Sequence, residues 1–125
     1  MSKRTILVVD DETSFLDIMN VILPRAGFEI ITCTHGTEGL QMIYEHQPDL
    51  ALLDDMLPGM SGGDICLTLK NDPTMQHIPV VLYSAGPRVR DGEFIRHIGA
   101  NAVLYKPFKP ADVVSTITNC LSAGV

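Results

Sequence analysis

Five short apolar runs leave this chain few folds to choose from. Ile6 to Val9, Ile30 to Ile31, Leu50 to Leu53, Val80 to Tyr83 and Ala102 to Tyr105 are each too short for a helix. None alternates as a strand with one wet face does, so they read as strands buried on both faces of a parallel sheet. Parallel strands need crossovers, and the stretches between the runs have helical period. Phe15, Ile18, Met19, Ile22 and Leu23 fall at i, i+3, i+4, i+7 and i+8, a stripe that ends near Pro24 and Gly27. Leu40, Ile43 and Tyr44 mark a second helix that closes before Pro48. Ile65 and Leu69 mark a third that closes near Asp72 and Pro73, with its stripe blurred by Cys66 and Leu67. Phe94, Ile95 and Ile98 mark a fourth, stopped at Gly99 and crowded at its start by Gly86, Pro87 and Gly92. Val113, Val114, Ile117 and Leu121 mark the last. Five successive βα units predict an α/β doubly wound fold, with right-handed crossovers and helices on both faces of an open parallel sheet. They use the chain to about Leu121, which predicts a single domain over residues 1–125 without a linker.

Composition narrows the function classes. With 46% hydrophobic residues in 125, the chain can bury a core without metal or disulfide staples. Cys33, Cys66 and Cys120 are an odd number at wide spacing with no CxxC or CxxH pair, and read as small core residues. A formal net charge of −6 has the wrong sign for direct nucleic-acid binding, which neutralises phosphates with lysine and arginine. No apolar run approaches the roughly 18 to 20 residues of a membrane span, and a cytoplasmic location is expected.

In open α/β sheets, ligands sit at the carboxyl ends of the strands. Strand one ends in Asp10 and Asp11, followed by Glu12, and strand three ends in Asp54 and Asp55. Helix capping and the helix dipole explain one such carboxylate, but not two runs brought together by neighbouring strands. Like charges about 4 Å apart repel by roughly 4 kcal/mol at an effective dielectric near 20, so something cationic belongs between them. Lys106, at the end of strand five, is one fixed cation. Oxygen-rich donors of this kind also suit Mg²⁺, which keeps several waters and often joins a phosphate. Ser84, at the end of strand four, adds a hydroxyl, and a metal-assisted phosphoryl site is the economical reading.

ILVVDDE (Ile6 to Glu12), PDLALLDDMLPGMSG (Pro48 to Gly62), IPVVLYSA (Ile78 to Ala85), Gly99 to Ala100 and KPF (Lys106 to Phe108) stand in this order at the predicted strand ends. Together they resemble the receiver domain of two-component response regulators over essentially the whole chain. The resemblance implies a flavodoxin-like, CheY-like fold with strand order 2-1-3-4-5. It also implies a phosphoprotein role, in which an aspartate accepts a phosphoryl group from a histidine kinase or histidine phosphotransfer protein. By position, Asp10 and Asp11 match the acidic pair that holds Mg²⁺, Asp54 the phosphoacceptor and further metal ligand, and Met56 the residue whose backbone carbonyl binds the metal. Ser84 matches the phosphate-contacting hydroxyl and Lys106 the phosphate-binding lysine. The family's proline four residues after the acceptor selects Asp54 over Asp55, because Pro58 stands four after Asp54. Strand alternation then sends Asp55 away from Asp54. The Lys106–Pro107 bond is a candidate for the cis peptide often found in the family.

The chain departs from the pattern at Val103, where the family commonly carries an aromatic switch residue. Tyr83 and Tyr105 are the nearby rings, but alternation places each on the sheet face opposite its functional neighbour, Ser84 or Lys106. Arg88 and Arg90 are candidates for a phosphate or partner contact, while His35, His46, His77 and His97 match no ligand spacing. The expected activity is self-phosphorylation from phosphohistidine and slow autodephosphorylation, not turnover of an external substrate. The competing reading is a degenerate receiver-like module that binds proteins without phosphotransfer. Only Ser122 to Val125 follow the last predicted helix, so output is expected through a downstream protein in trans, from a monomer or weak phosphorylation-dependent dimer.

Overall fold

Strands β1 (Thr5–Val9), β2 (Glu29–Cys33), β3 (Leu50–Asp54), β4 (Val80–Ser84) and β5 (Ala102–Tyr105) form one sheet in the computed structural model, which describes residues 3–123. All pairings are parallel and the order is 2-1-3-4-5, the doubly wound arrangement expected from the apolar runs. Helices α1 (Thr13–Arg25), α2 (Gly36–His46), α3 (Gly62–Lys70), α4 (Gly92–Ile98) and α5 (Pro110–Ala123) alternate with the strands, and a 3₁₀ turn spans Pro87–Arg90. Residues 124 and 125, which close the segment after the last predicted helix, lie outside the described residues.

Strand alternation divides the apolar runs between two cores. Leu7, Val9, Ala51, Leu53, Val80 and Leu82 face one side, where Ile43 of α2, Ile65 and Leu69 of α3 and Ile98 of α4 cover them. Ile6, Val8, Leu50, Leu52, Val81 and Tyr83 face the other, against Leu16, Met19 and Leu23 of α1 and Val113 and Ile117 of α5. Burial on both sides is complete for β3 and β4, whereas the edge strands β2 and β5 are only partly covered. Membership of a parallel sheet thus overstates the burial of its outermost strands, which have a neighbour on one side only.

Helix boundaries follow local chemistry. The crowded start of the fourth helix resolves into two pieces: Pro87 opens the 3₁₀ turn, and the Asp91 side chain accepts the backbone N–H groups of Glu93 and Phe94 to cap α4. Gly99, with φ +78°, closes α4 in the left-handed region. In α1 the buried stripe is Leu16, Met19 and Leu23, and the expected member Ile18 is 50% exposed. Both registers fit the helical period, and Leu16 wins because it shares the inward face with Met19 and Leu23. The three cysteines are free thiols; Cys66 donates to the Ile98 carbonyl, and burial pushes its thiol up to about 12. No helix among the described residues is long and apolar enough to cross a membrane.

Candidate functional site

Parallel register brings four strand ends level. Val9 pairs with Leu53, Asp54 with Tyr83 and Ser84 with Tyr105, so the residues that follow β1 and β5 meet the last residues of β3 and β4. Alternation then decides which side chains share a face. Asp10, Asp54 and Lys106 continue the α1/α5 side of their strands, and their charged groups converge there.

Lys106 stands among three carboxylates. Its ammonium donates to Asp54 Oδ2 at 3.3 Å, to Asp10 Oδ2 at 3.4 Å and to Glu12 Oε1 at 3.4 Å. These contacts are long for charge-assisted hydrogen bonds, which close to about 2.7–2.9 Å when one partner dominates. One cation shared three ways leaves the cluster negative. Asp10 is fully buried; its Oδ1 accepts the Glu12 N–H at 2.8 Å, and its Oδ2 accepts the Tyr83 hydroxyl at 2.9 Å. Asp54 is 4% exposed, and its Oδ1 accepts the Met56 N–H at 3.1 Å. The Lys106–Pro107 peptide is cis.

The electrostatics follow from this crowding. Burial raises the Asp54 carboxyl above its ordinary value and Asp10 adds to the rise, against the lowering pull of the Met56 N–H and Lys106. For Lys106, burial works to lower the ammonium, but the charges of Asp54, Asp10 and Glu12 outweigh it and the net direction is up. Asp10, Glu12 and Asp54 each offer an oxygen, and these atoms lie within 4.8 Å of one another. Hard oxygen donors in excess of local positive charge fit a small divalent cation such as Mg²⁺. Glu12 thus stands with Asp10 and Asp54, and Asp11, which the sequence pairs with Asp10, is exposed and lines the same cleft as Glu12 and Asp54. That cleft, of about 270 Å³, is also lined by Met56, Ser84, Ala85 and Lys106.

The other sheet face carries a separate arrangement. Asp55, 5% exposed, takes two contacts from Arg88, at 2.6 Å from Nε and 2.8 Å from Nη2, and accepts the Gly63 N–H at 2.9 Å. Arg88 also donates to Ser61 Oγ at 3.1 Å and stacks 4.3 Å from the Phe94 ring centroid. The hydrogen bond to Asp55 raises the guanidinium further. Close approach of α3 to this strand end requires glycine at its first residue: a Cβ on Gly62 would lie 2.3 Å from the Asp54 carbonyl oxygen. Ser84 is 2% exposed, and its Oγ accepts the Gly86 N–H at 2.9 Å, which leaves the hydroxyl proton for another acceptor.

Of the arginines singled out by sequence, Arg88 is held by Asp55 and Phe94, and Arg90 stacks 4.2 Å from the Tyr105 ring centroid. Val103 packs partly buried against the α2–α4 core. Tyr105 is 41% exposed on the same side as Val103. Tyr83 does lie on the face opposite Ser84, but that face is the one that holds Asp10, Asp54 and Lys106. Sequence reasoning compared Tyr83 only with its immediate neighbour; the register Asp54 to Tyr83 was the signal that joined it to the site.

The site combines the buried Asp54 carboxyl, a set of hard oxygen donors, a lysine and a buried hydroxyl. Comparison with known proteins bears on the family and the fold that hold these groups. A family model described as the response regulator receiver domain matches residues 6–118. The DNA-binding response regulator MtrA of Mycobacterium tuberculosis (strain ATCC 25618 / H37Rv) is 36% identical over 115 residues, covering 92% of this chain and 49% of its own length. The chain thus spans about half the length of that relative. The polar-differentiation response regulator DivK of Brucella anthropi is 32% identical over 118 residues, covering 94% of this chain and 96% of its own length. A CheY-like receiver domain protein from Methanospirillum hungatei JF-1 superposes with a TM-score of 0.90 at 28% identity, covering 98% of this chain and 97% of that one.

Proposed function

As the chain belongs to the response regulator receiver domain family, we propose that it is a phosphoacceptor in which Asp54 takes a phosphoryl group from a phosphohistidine. The donor is a histidine kinase or histidine phosphotransfer protein. The observation that carries this reading is the shared lysine: Lys106 lies 3.3 to 3.4 Å from Asp54, Asp10 and Glu12, bound tightly to none of them.

Asp10, Asp11, Asp54 and the Met56 backbone carbonyl are the residues proposed to hold Mg²⁺, with Glu12 at hand in the same cleft. Bound there, the cation supplies positive charge to the phosphoryl oxygens and to the acceptor carboxylate. An ionised Asp54 oxygen forms the new bond to phosphorus as the P–N bond to the imidazole breaks, and the ring nitrogen keeps the electron pair. Lys106 neutralises one phosphoryl oxygen, and its long contacts let it follow that oxygen without first breaking a short ion pair. The free proton on Ser84 Oγ is available to a second oxygen. Later attack of water on phosphorus releases phosphate and returns the Asp54 carboxylate. The phosphoryl group, which carries about −1.5 to −2 charge in place of the single carboxylate charge, draws Ser84 and its loop toward Asp54, and a downstream protein reads the altered surface. A cytoplasmic setting goes with this reading.

The test is incubation of the chain with Mg²⁺ and acetyl phosphate, read by intact mass, or with beryllofluoride, read by NMR. A Mg²⁺-dependent adduct that Asp54→Asn abolishes is expected. No adduct on the unaltered chain, or one that survives Asp54→Asn, overturns the reading.

A further inference from the structure

Tyr83 is the largest fully buried side chain of the described residues, and it ends against the proposed cation site. We infer that Tyr83 is a positioning residue: its hydroxyl orients the Asp10 carboxylate for a divalent cation, and its ring seats the Lys106 ammonium. The inference rests on the reading of Asp54 and its neighbours as a cation-dependent phosphoacceptor site.

A buried phenol must place its proton on an acceptor, and few are in reach this deep in the sheet. The Tyr83 hydroxyl lies 2.9 Å from Asp10 Oδ2 and 3.4 Å from the Val9 carbonyl oxygen. Asp10 is thereby held through both oxygens, with the Glu12 N–H on Oδ1 and the phenol on Oδ2. The Lys106 ammonium sits 5.1 Å from the Tyr83 ring centroid and 5.5 Å from that of Phe15, over a surface that attracts cations. Phe15 and Phe108 fix the ring from two sides, with centroids 5.2 and 5.7 Å away. One side chain thus touches both the carboxylate on the metal side and the lysine on the phosphoryl side.

Packing alone asks only for a ring, which phenylalanine supplies. Positioning asks for the hydroxyl. Without it, Asp10 Oδ2 keeps only the 3.4 Å contact with Lys106, and the carboxylate is free to turn toward the ammonium and away from the cation. Loss of a hydrogen-bond partner behind a metal ligand commonly weakens binding 10- to 100-fold, and the remaining Lys106 contact places this case near the low end, at about tenfold.

The experiment is calorimetric titration of the full chain with Mg²⁺, paired with thermal unfolding in EDTA, for the unaltered protein, Tyr83→Phe and Ile117→Val. Tyr83→Phe is expected to raise the Mg²⁺ Kd by about tenfold with little change in melting. Ile117→Val, which trims the same core at α5 and leaves the ring cluster and the hydroxyl in place, is expected to lower melting and leave Mg²⁺ affinity nearly unchanged. Equal Mg²⁺ affinity in Tyr83→Phe and the unaltered chain overturns the positioning role alone, and so does an equal loss in Ile117→Val. Absence of Mg²⁺ binding by the unaltered chain removes both the positioning role and the reading beneath it. Should Tyr83→Phe fail to fold, the ring and hydroxyl are inseparable and the inference falls.

Discussion

On one face of β3, Asp54 shares a single lysine with two other carboxylates at 3.3 to 3.4 Å; on the other, Asp55 holds Arg88 at 2.6 and 2.8 Å and a helix N–H at 2.9 Å. Both aspartates are almost fully buried and adjacent in sequence. The period of a strand separates them, and what differs is the supply of positive charge. Asp54 is left with less than one lysine to itself and has its protonation pushed upward. Asp55 has a bidentate guanidinium and the N-terminus of α3. An under-supplied carboxylate has capacity to bind something new, whereas a saturated one spends its capacity on joining α3 to the 3₁₀ turn.

Substitutions break the comparison in a definite order. Asp55→Ala is expected to have the largest effect, a destabilisation of about 2 to 3 kcal/mol in chemical unfolding, because it strands Arg88 and the Gly63 N–H together. Arg88 is half exposed, which keeps the loss below that of a wholly buried pair. Asp54→Asn is expected to act with the opposite sign. In EDTA at neutral pH it removes a like charge from beside Asp10 and Glu12, a gain on the order of 1 kcal/mol after the lost Lys106 contact is counted. If both substitutions destabilise equally, the contrast between the two aspartates is wrong.

Acid titration sharpens the same contrast. Because the folded Asp54 carboxyl lies above its ordinary 3.8, its contribution to stability is fully present below that value and is lost as pH rises through the raised folded value. The advantage of Asp54→Asn in unfolding experiments should therefore shrink as pH falls through that window. Constancy of the advantage down to the ordinary carboxylate value would count against it. Ser61→Ala is the smallest expected effect, a loss of roughly 0.5 kcal/mol in melting experiments. Its hydroxyl caps α3 through the Asp64 N–H and also receives Arg88, but both partners reach solvent and can be rehydrated.

The strand ends were the legible part of this site. Asp10, Asp54, Ser84 and Lys106 were readable because a parallel sheet turns each apolar run into a depth marker, and the residue after each run falls at the same level. Contacts that cross between distant segments were not readable in the same way. Arg88 was noticed, but not that Asp55 holds it, since 33 residues and a helix separate them. Tyr83 to Asp10 spans 73 residues, and a phenol long enough to reach past its own strand end escapes a rule based on alternation alone. Glu12 stood in the acidic run, yet its turn toward Lys106 depends on a loop conformation that spacing does not encode. The offset of the α1 stripe, with Leu16 inside and Ile18 outside, has a similar origin: an apolar-rich helix offers two registers, and only the opposing sheet selects one.

The burial of Tyr83 also gives the molecule an optical property. The chain has three tyrosines and no tryptophan. Tyr44 and Tyr105 are 36% and 41% exposed, whereas Tyr83 is immobilised between two phenylalanine rings and a buried carboxylate. Fixed aromatic packing is what gives a folded protein its near-ultraviolet dichroism. Tyr83, in contact with both Asp10 and Lys106, is therefore the tyrosine expected to contribute most to that band, and charge arriving at the strand ends is expected to alter the signal without any label.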